Sequence, residues 1–328
     1  MKGLRLPSVL RAVIGIAISI VAIAVVLGSV DIGATAEVLA TARPGWLAVA
    51  AGFLAVDLVV RAVRWRRLLA PVAHVALGPV LGYLLIGYLA NNVLPARLGE
   101  LVRCHYLGDR EGISRATALG TVVVERVVDV AVVVAIAAAA ILVLSVRGVV
   151  ASAVLVGVAL VALLALALAI GVVAHRVPGA ERVAAAIARW PRVHAIGGRL
   201  RDGLSVAGDP RTLAEALALS VVAWGATLLA FAAAGQAVGV QLSIGQASLL
   251  ASGVALASAI PSGPASLGTF ELAAIRIGLA VGVAGESALA IGLLVHVLIL
   301  VLTSIGGLVA LARLGVAREP AEADGSVS

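Results

Sequence analysis

The sequence predicts an all-α polytopic membrane protein with six full spans and two broken, re-entrant helical hairpins arranged as an inverted repeat. Three observations carry this. First, the 328 residues are 62% hydrophobic and the mean hydropathy is +1.16, whereas soluble domains are roughly 45–50% apolar. Second, two stretches nearly repeat: Pro95-Ala-Arg-Leu-Gly-Glu100 and Pro264-Ala-Ser-Leu-Gly-Thr-Phe-Glu271. Each follows an apolar run and sets a proline, a glycine and a carboxylate at membrane depth. A broken helix survives in hydrocarbon only inside protein or beside a wet cavity. Third, the arginines gather in alternate loops.

In chain order, the apolar runs predict spans over 10–29, 46–63, 119–144, 149–174, 212–238 and 287–311. Lys2, Arg5 and Arg11 precede the first run, which is long enough to remain as a spanning helix rather than a cleaved leader. Two regions are interrupted: 76–94 followed by 98–107, and 244–262 followed by 265–283. Asn91, Asn92, Pro95, Pro261 and Pro264 are poor lipid-facing residues, which favours hairpins over full spans.

Arginine placement orients the set. The N-terminus, a 64–75 loop with Arg64, Arg66 and Arg67, a 175–211 basic loop and the tail with Arg313 and Arg318 fall on one side. The opposite loops, near 30–45, 145–148 and 239–246, hold only Arg43 and Arg147. Both termini are therefore expected in the cytoplasm. The hairpins then dip in from opposite faces. The chain reads as one integral domain over 1–312 with inverted halves, about 1–145 and 149–312. The basic loop is expected to be mainly a solvated, orienting segment, with an interfacial helix near 180–190 as the alternative. The 319–328 tail is polar and expected to be disordered. Arginine outnumbers lysine heavily and Ala, Val and Leu dominate, a bias of GC-rich bacterial genomes, so the location expected is a bacterial inner (plasma) membrane.

Charged residues inside a membrane are costly and mark function. Asn92, Arg97, Glu100 and Arg103 surround the first break. Glu100 and Arg103, three apart, share a helical face, and an arginine fork suits phosphate oxygens. Glu125, Arg126 and Asp129 lie on the following span. Glu125 and Asp129 share a face at four residues' spacing and repel unless a cation or proton intervenes. Arg126 with Asp129 reads as an ionic lock, and Glu125 as the titrating group. Asp57 and Arg61 can neutralise each other, with Arg61 and Arg64 near enough to the cytoplasmic end to snorkel. Pro261, Pro264, Gly268 and Glu271 form the second break, as Pro95 and Gly99 form the first. A helix restarting after Pro264 points free N–H groups at any anion there. Trp224, Gln236 and His296 read as helix-packing or interface residues.

No P-loop, zinc-protease helix, nucleophile elbow or dinucleotide fingerprint occurs. Cys104 is the sole cysteine. An enzyme is not expected, nor a metal, a cofactor or a nucleic-acid partner.

The stretch from Gly87 to Arg103, Gly-Tyr-Leu-Ala-Asn-Asn-Val-Leu-Pro-Ala-Arg-Leu-Gly-Glu-Leu-Val-Arg, resembles one family together with Val124-Glu-Arg-Val-Val-Asp129 and the second break. It is similar to the transmembrane domain of lysyl-phosphatidylglycerol synthases and their stand-alone flippase-like relatives, and Arg64-Trp-Arg-Arg-Leu-Leu69 fits too. The resemblance covers about residues 10–312. It implies that Asn92, Pro95, Arg97, Gly99, Glu100, Arg103, Glu125, Arg126, Asp129, Pro264, Gly268 and Glu271 occupy motif positions. It also implies movement of a phospholipid between leaflets, with a separate enzyme making the lipid. Some relatives serve prenyl-phosphate sugar pathways, which keeps that cargo open. The leading expectation is a lipid translocase. A membrane glycosyltransferase or accessory protein on polyprenyl-phosphate lipids, and a cell-envelope scaffold, are the rivals.

Overall fold

The computed structural model describes residues 5–94, 98–148, 151–152, 155–157, 159, 163, 198–199, 202–258 and 262–316. Among these every regular element is a helix. The first is α1, Arg5–Ser29. A bend of 84° leads into α2, Ile32–Ala40, where the sequence reading had only a loop. Asp31 starts α2: its carboxylate accepts the Ala34 N–H at 3.1 Å and so satisfies a free donor of the first turn. α3 runs Pro44–Leu69, with proline at its first position. It continues past residue 63, so Arg64, Arg66 and Arg67 lie on the helix and not in a loop.

The first interrupted region is α4, Leu77–Val93, and α5, Gly99–Glu111, which ends at Gly112 with φ of 67°. α6 spans Arg115–Leu144. After a short 3₁₀ turn at Ser205–Gly208 comes α7, Pro210–Ala237, capped by Asp209. The second interrupted region is α8, Ile244–Ala257, a 3₁₀ turn at Pro264–Ser266, and α9, Thr269–Ala280. α10, Gly285–Val316, ends the described chain. The expected span 149–174, the 175–211 loop and the 319–328 tail lie largely or wholly outside the described residues.

Among the described residues four helices, α3, α6, α7 and α10, are long and apolar enough to cross a membrane, and the bent pair α1–α2 makes a fifth only if it forms one span. This is a multi-pass membrane protein. The hairpin arms are shorter, at 17 and 13 residues for α4 and α5 and 14 and 12 for α8 and α9. At 1.5 Å per residue each falls short of a hydrocarbon layer of about 30 Å.

Packing is reciprocal between the halves. α3 lies along α7 over the most extensive helix contact among the described residues. α4 packs on α10, and α8 packs on α6. α5 and α9 then return along α6 and α10 respectively. One core joins Phe231, Leu249, Leu250, Phe270, Ile277 and Ile291; a second joins Trp65, Tyr83, Leu84, Leu107 and Val122. Leu142 and Val143 on α6, with Ile305 and Leu308 on α10, stay exposed. In lipid no hydrophobic drive holds helices together, so close contact of small residues must do it. At the first break this contact is Gly87 against Gly99. A Cβ on Gly99 would collide with the Gly87 carbonyl oxygen and with Asn91 Oδ1.

Candidate functional site

The site grows from one face of α3. Asp57, Arg61 and Arg64 recur at four and three residues, a single helical stripe. That stripe meets Glu125 and Asp129 on α6 and Ser220, Trp224 and Thr227 on α7. Arg61 Nε donates to Asp57 at 2.8 and 2.9 Å, and its Nη1 reaches Asp129 Oδ2 at 3.0 Å. Arg64 Nη1 donates to Asp129 Oδ1 and to Ser220 Oγ, each at 2.6 Å, while its Nη2 reaches Glu125 Oε1 at 2.9 Å. Trp224 Nε1 donates to Asp129 Oδ1 at 3.0 Å, and Thr227 to Asp57 at 3.2 Å. The indoles of Trp224 and Trp65 lie under Arg61 and Arg103, at 5.0 and 4.6 Å.

Burial and pairing explain each other here. Arg64 and Glu125 have no accessible surface, and Asp57, Arg61, Arg103 and Asp129 are all buried. A lone charge at this depth costs several kcal/mol, so it persists only among partners and hydrogen bonds. The snorkelling expected of Arg61 and Arg64 does not occur. Their guanidiniums turn inward because two carboxylates on α6 wait there. The lock expected between Arg126 and Asp129 is loose, at 3.9 Å; Arg61 and Arg64 hold Asp129 instead. Arg64, Arg103 and Arg126 converge on Glu125, at 2.9, 2.9 and 3.4 Å.

Beside this network lies a narrow crevice of about 10 Å³ between α4, α5 and α6, lined by Tyr88, Asn91, Gly99, Glu100, Arg103 and Arg126. Asn91 Oδ1 accepts the Gly99 N–H at 2.7 Å and so fixes the start of α5. Arg126 is the network's exposed arm, its side chain 35% accessible. Buried in the cleft wall, Arg103 Nη2 and Arg126 Nε have no hydrogen-bond partner among the described residues. Glu100 makes no ion pair among them. The arrangement offers planar donors to an anion and a carboxylate beside it. A separate surface cavity of about 420 Å³ at the end of α3, lined by Arg66, Arg67 and His74, shares no residue with the cleft.

The sequence-predicted residues thus divide. Arg103, Glu125, Arg126 and Asp129 come together, with Glu100 and Gly99 at the cleft. Asn92 turns to α10, donating to Thr303 at 2.9 Å and Ser304 at 3.1 Å. Glu271 forms a second cluster. Its Oε2 accepts the Gly268 N–H at 2.7 Å and its Oε1 meets His296 Nδ1 at 2.6 Å. Gly268 takes φ of 84°, a conformation that suits glycine, and Pro264 opens the turn before it. Pro95, Arg97 and Pro261 lie outside the described residues. The Asp57–Arg61 pair expected from the sequence is present, but its joining with Arg64 to Glu125 and Asp129 was not legible there. Trp224 and His296 were missed too, and neither carried a local signal.

The family model described as lysylphosphatidylglycerol synthase TM region matches residues 12–307, nearly the whole chain. Over 137 residues the chain is 28% identical to a Haloferax volcanii protein named Glycosyltransferase AglD. The aligned stretch is 42% of this chain and 22% of that relative, so the chain spans about a fifth of its length.

Proposed function

We propose, from the premise that this chain belongs to the lysylphosphatidylglycerol synthase transmembrane-region family, that it is a lipid translocase. It moves a phosphate-bearing lipid between the leaflets of a bacterial inner membrane, with both termini in the cytoplasm. A separate lipid-modifying enzyme supplies the cargo. The observation that carries this reading is a pair of buried guanidinium nitrogens, Arg103 Nη2 and Arg126 Nε, with no hydrogen-bond partner among the described residues, beside a narrow crevice between α4, α5 and α6. Arginine donors fit phosphate oxygens in a way no apolar tail requires. Arg97 belongs to the same segment and joins them in this reading. Asn92, Glu125 and Asp129 support the cleft. Glu100 balances charge or meets a cationic headgroup, while Glu271 stands apart at the second break.

The architecture that goes with this function is six spans and two hairpins in inverted halves. The reciprocal packing of α4 on α10 and α8 on α6, about the α3–α7 pair, supports it. So do arms too short to cross the bilayer alone. Rocking of such halves about a central site alternates access. The test is a leaflet-resolved assay in proteoliposomes with fluorescent anionic, zwitterionic and aminoacylated phospholipids. Headgroup-dependent movement is expected; no movement of any lipid by folded protein would defeat the reading.

The relative's name, a glycosyltransferase, favours one other reading, sugar transfer, which we take to act on a polyprenyl-phosphate lipid. In this reading the same crevice widens to seat that phosphate. We read the chain as a carrier rather than an enzyme, so mass spectrometry should find the lipid unmodified after incubation. A glycosylated product would reverse the choice.

A further inference from the structure

The second break holds a titratable pair that the phosphate cleft does not use. Glu271 and His296 are both buried, and Phe270 stacks on the imidazole with ring centroids 4.2 Å apart. His296 touches an acceptor on each side: Glu271 Oε1 at 2.6 Å from Nδ1, and the Ala265 carbonyl oxygen at 2.9 Å from Nε2.

Proton counting follows from the donor inventory. A carbonyl oxygen only accepts, so Nε2 bears a proton. The Nδ1–Oε1 contact is a hydrogen bond only if a second proton lies within it. That proton sits on either side, giving imidazolium–carboxylate or imidazole–carboxylic acid, and the pair is uncharged in both forms. Removing one proton leaves a single N–H and two acceptors on opposite sides of the ring. The remaining N–H goes to the charged carboxylate, the stronger acceptor, so the proton lost is the one on Nε2, the Ala265 contact opens and a net negative charge is left buried.

The contact at stake is mechanical. Ala265 and Ser266 have φ of 57° and 58°, the left-handed region that side chains rarely adopt. The Ala265 carbonyl is the atom His296 holds, so α10 clamps the strained turn. α1 grips the same turn, Ser19 Oγ accepting the Gly263 N–H at 2.9 Å, and α4 packs against it. No other ion pair reaches Glu271 or His296 among the described residues. α8 carries no charged residue, α1 none from Val13 onward, and α4 only the tyrosines Tyr83 and Tyr88 as titratable groups. Arg276 of α9 is exposed.

We infer that Glu271 and His296 form a proton-binding site that latches the second break: the bound proton holds the Pro264–Ser266 turn to α10, and its release frees the turn. The step is a proton transfer between the pair and water, with no other bond made or broken. Resting on the translocase reading, the proton is the ion whose movement is coupled to the lipid's.

The test places Ser262→Cys, a buried position in the break, in a Cys104→Ser background in proteoliposomes. Labelling by a membrane-impermeant maleimide is followed from about pH 6 to about pH 9, the range around a histidine. The reference carries Glu271→Gln as well; its amide can donate to Nδ1 and its oxygen accept from Gly268, mimicking the proton-loaded pair. The labelling ratio of the two proteins cancels the thiol's own titration. The site predicts that this ratio rises with pH. A ratio that stays flat overturns it. Should Glu271→Gln fail to fold, His296→Gln serves as reference, with the same outcomes. Fluorescent lipid movement in the same vesicles is timed with and without a pH gradient. Movement indifferent to the gradient overturns the coupling and leaves the translocase intact. Rising labelling without any lipid movement retires the translocase and upholds the proton site.

Discussion

Arg64 Nη2 lies 2.9 Å from Glu125 Oε1, and neither side chain has any contact with solvent. These residues stand 61 positions apart on α3 and α6. Every other charge of the network is arranged around them. Truncating one partner leaves the other buried with an ion pair fewer, Arg64 keeping Asp129 and Glu125 keeping Arg103 and Arg126, which costs about 3–5 kcal/mol. Arg64→Ala and Glu125→Ala should each lower thermal stability strongly. The double variant should lose less than the sum of the two, because the charge left short of a partner is then gone. Unfolding of all four proteins of the cycle in detergent measures this.

Trp224 contributes a donor as well as a ring. Trp224→Phe keeps an aromatic face for Arg61 and removes the N–H given to Asp129. A hydrogen bond to a charged group is worth roughly 1.5–3 kcal/mol. The expected outcome is a stability loss in that range, smaller than for Arg64→Ala, read by the same unfolding measurement.

The close approach of α4 and α5 depends on Gly99. Gly99→Ala puts a methyl group into the Gly87 carbonyl and should destabilise by about 1–3 kcal/mol through overpacking. Gly52→Ala, on α3 with nothing near its Cβ position, serves as the contrast. There alanine should be neutral or mildly stabilising, since it favours a helix. Melting temperatures of the two variants should therefore move in different directions or by clearly different amounts.

Asp209 caps α7 from outside the membrane span. The Thr212 hydroxyl, then the Thr212 and Arg211 N–H groups, bond its carboxylate and hold its pKa below the usual value for aspartate. A lowered folded pKa means the carboxylate stabilises the fold above the unfolded pKa of about 3.9. That contribution fades as pH falls through the lower folded value. Asp209→Asn should be slightly less stable at neutral pH, and the difference should vanish in acid. The group is fully exposed, so the effect is small. Melting curves across that pH window check it.

Hydropathy and arginine placement made most of the helices legible in the sequence, including both breaks, because apolar length and Pro-Gly punctuation are local signals. α2 escaped. Its nine residues follow a sharp bend, and only the Asp31 cap announced it. The helical ends of α3 escaped as well. Arginines after an apolar run read as a headgroup-facing loop, and only the partners on α6 reveal that Arg64 turns inward. The site was half legible for the same reason. Glu125, Arg126 and Asp129 stand out as charges in an apolar helix. The links to Trp224, Ser220 and His296 are set by which helices pack together, and spacing along one chain does not record that.

In the proposed function the guanidiniums of Arg103 and Arg126 bind the phosphate of a moving lipid. Arg126 tests it most directly, since it reaches the cleft and is only loosely paired, at 3.4 and 3.9 Å. The measurement is the translocation rate of a fluorescent anionic phospholipid in proteoliposomes, for the unaltered protein and Arg126→Gln, at matched folded content. Movement by the first is expected, and its loss, with the melting temperature nearly kept, in the second. Equal rates in the two, or no movement by either, would contradict it.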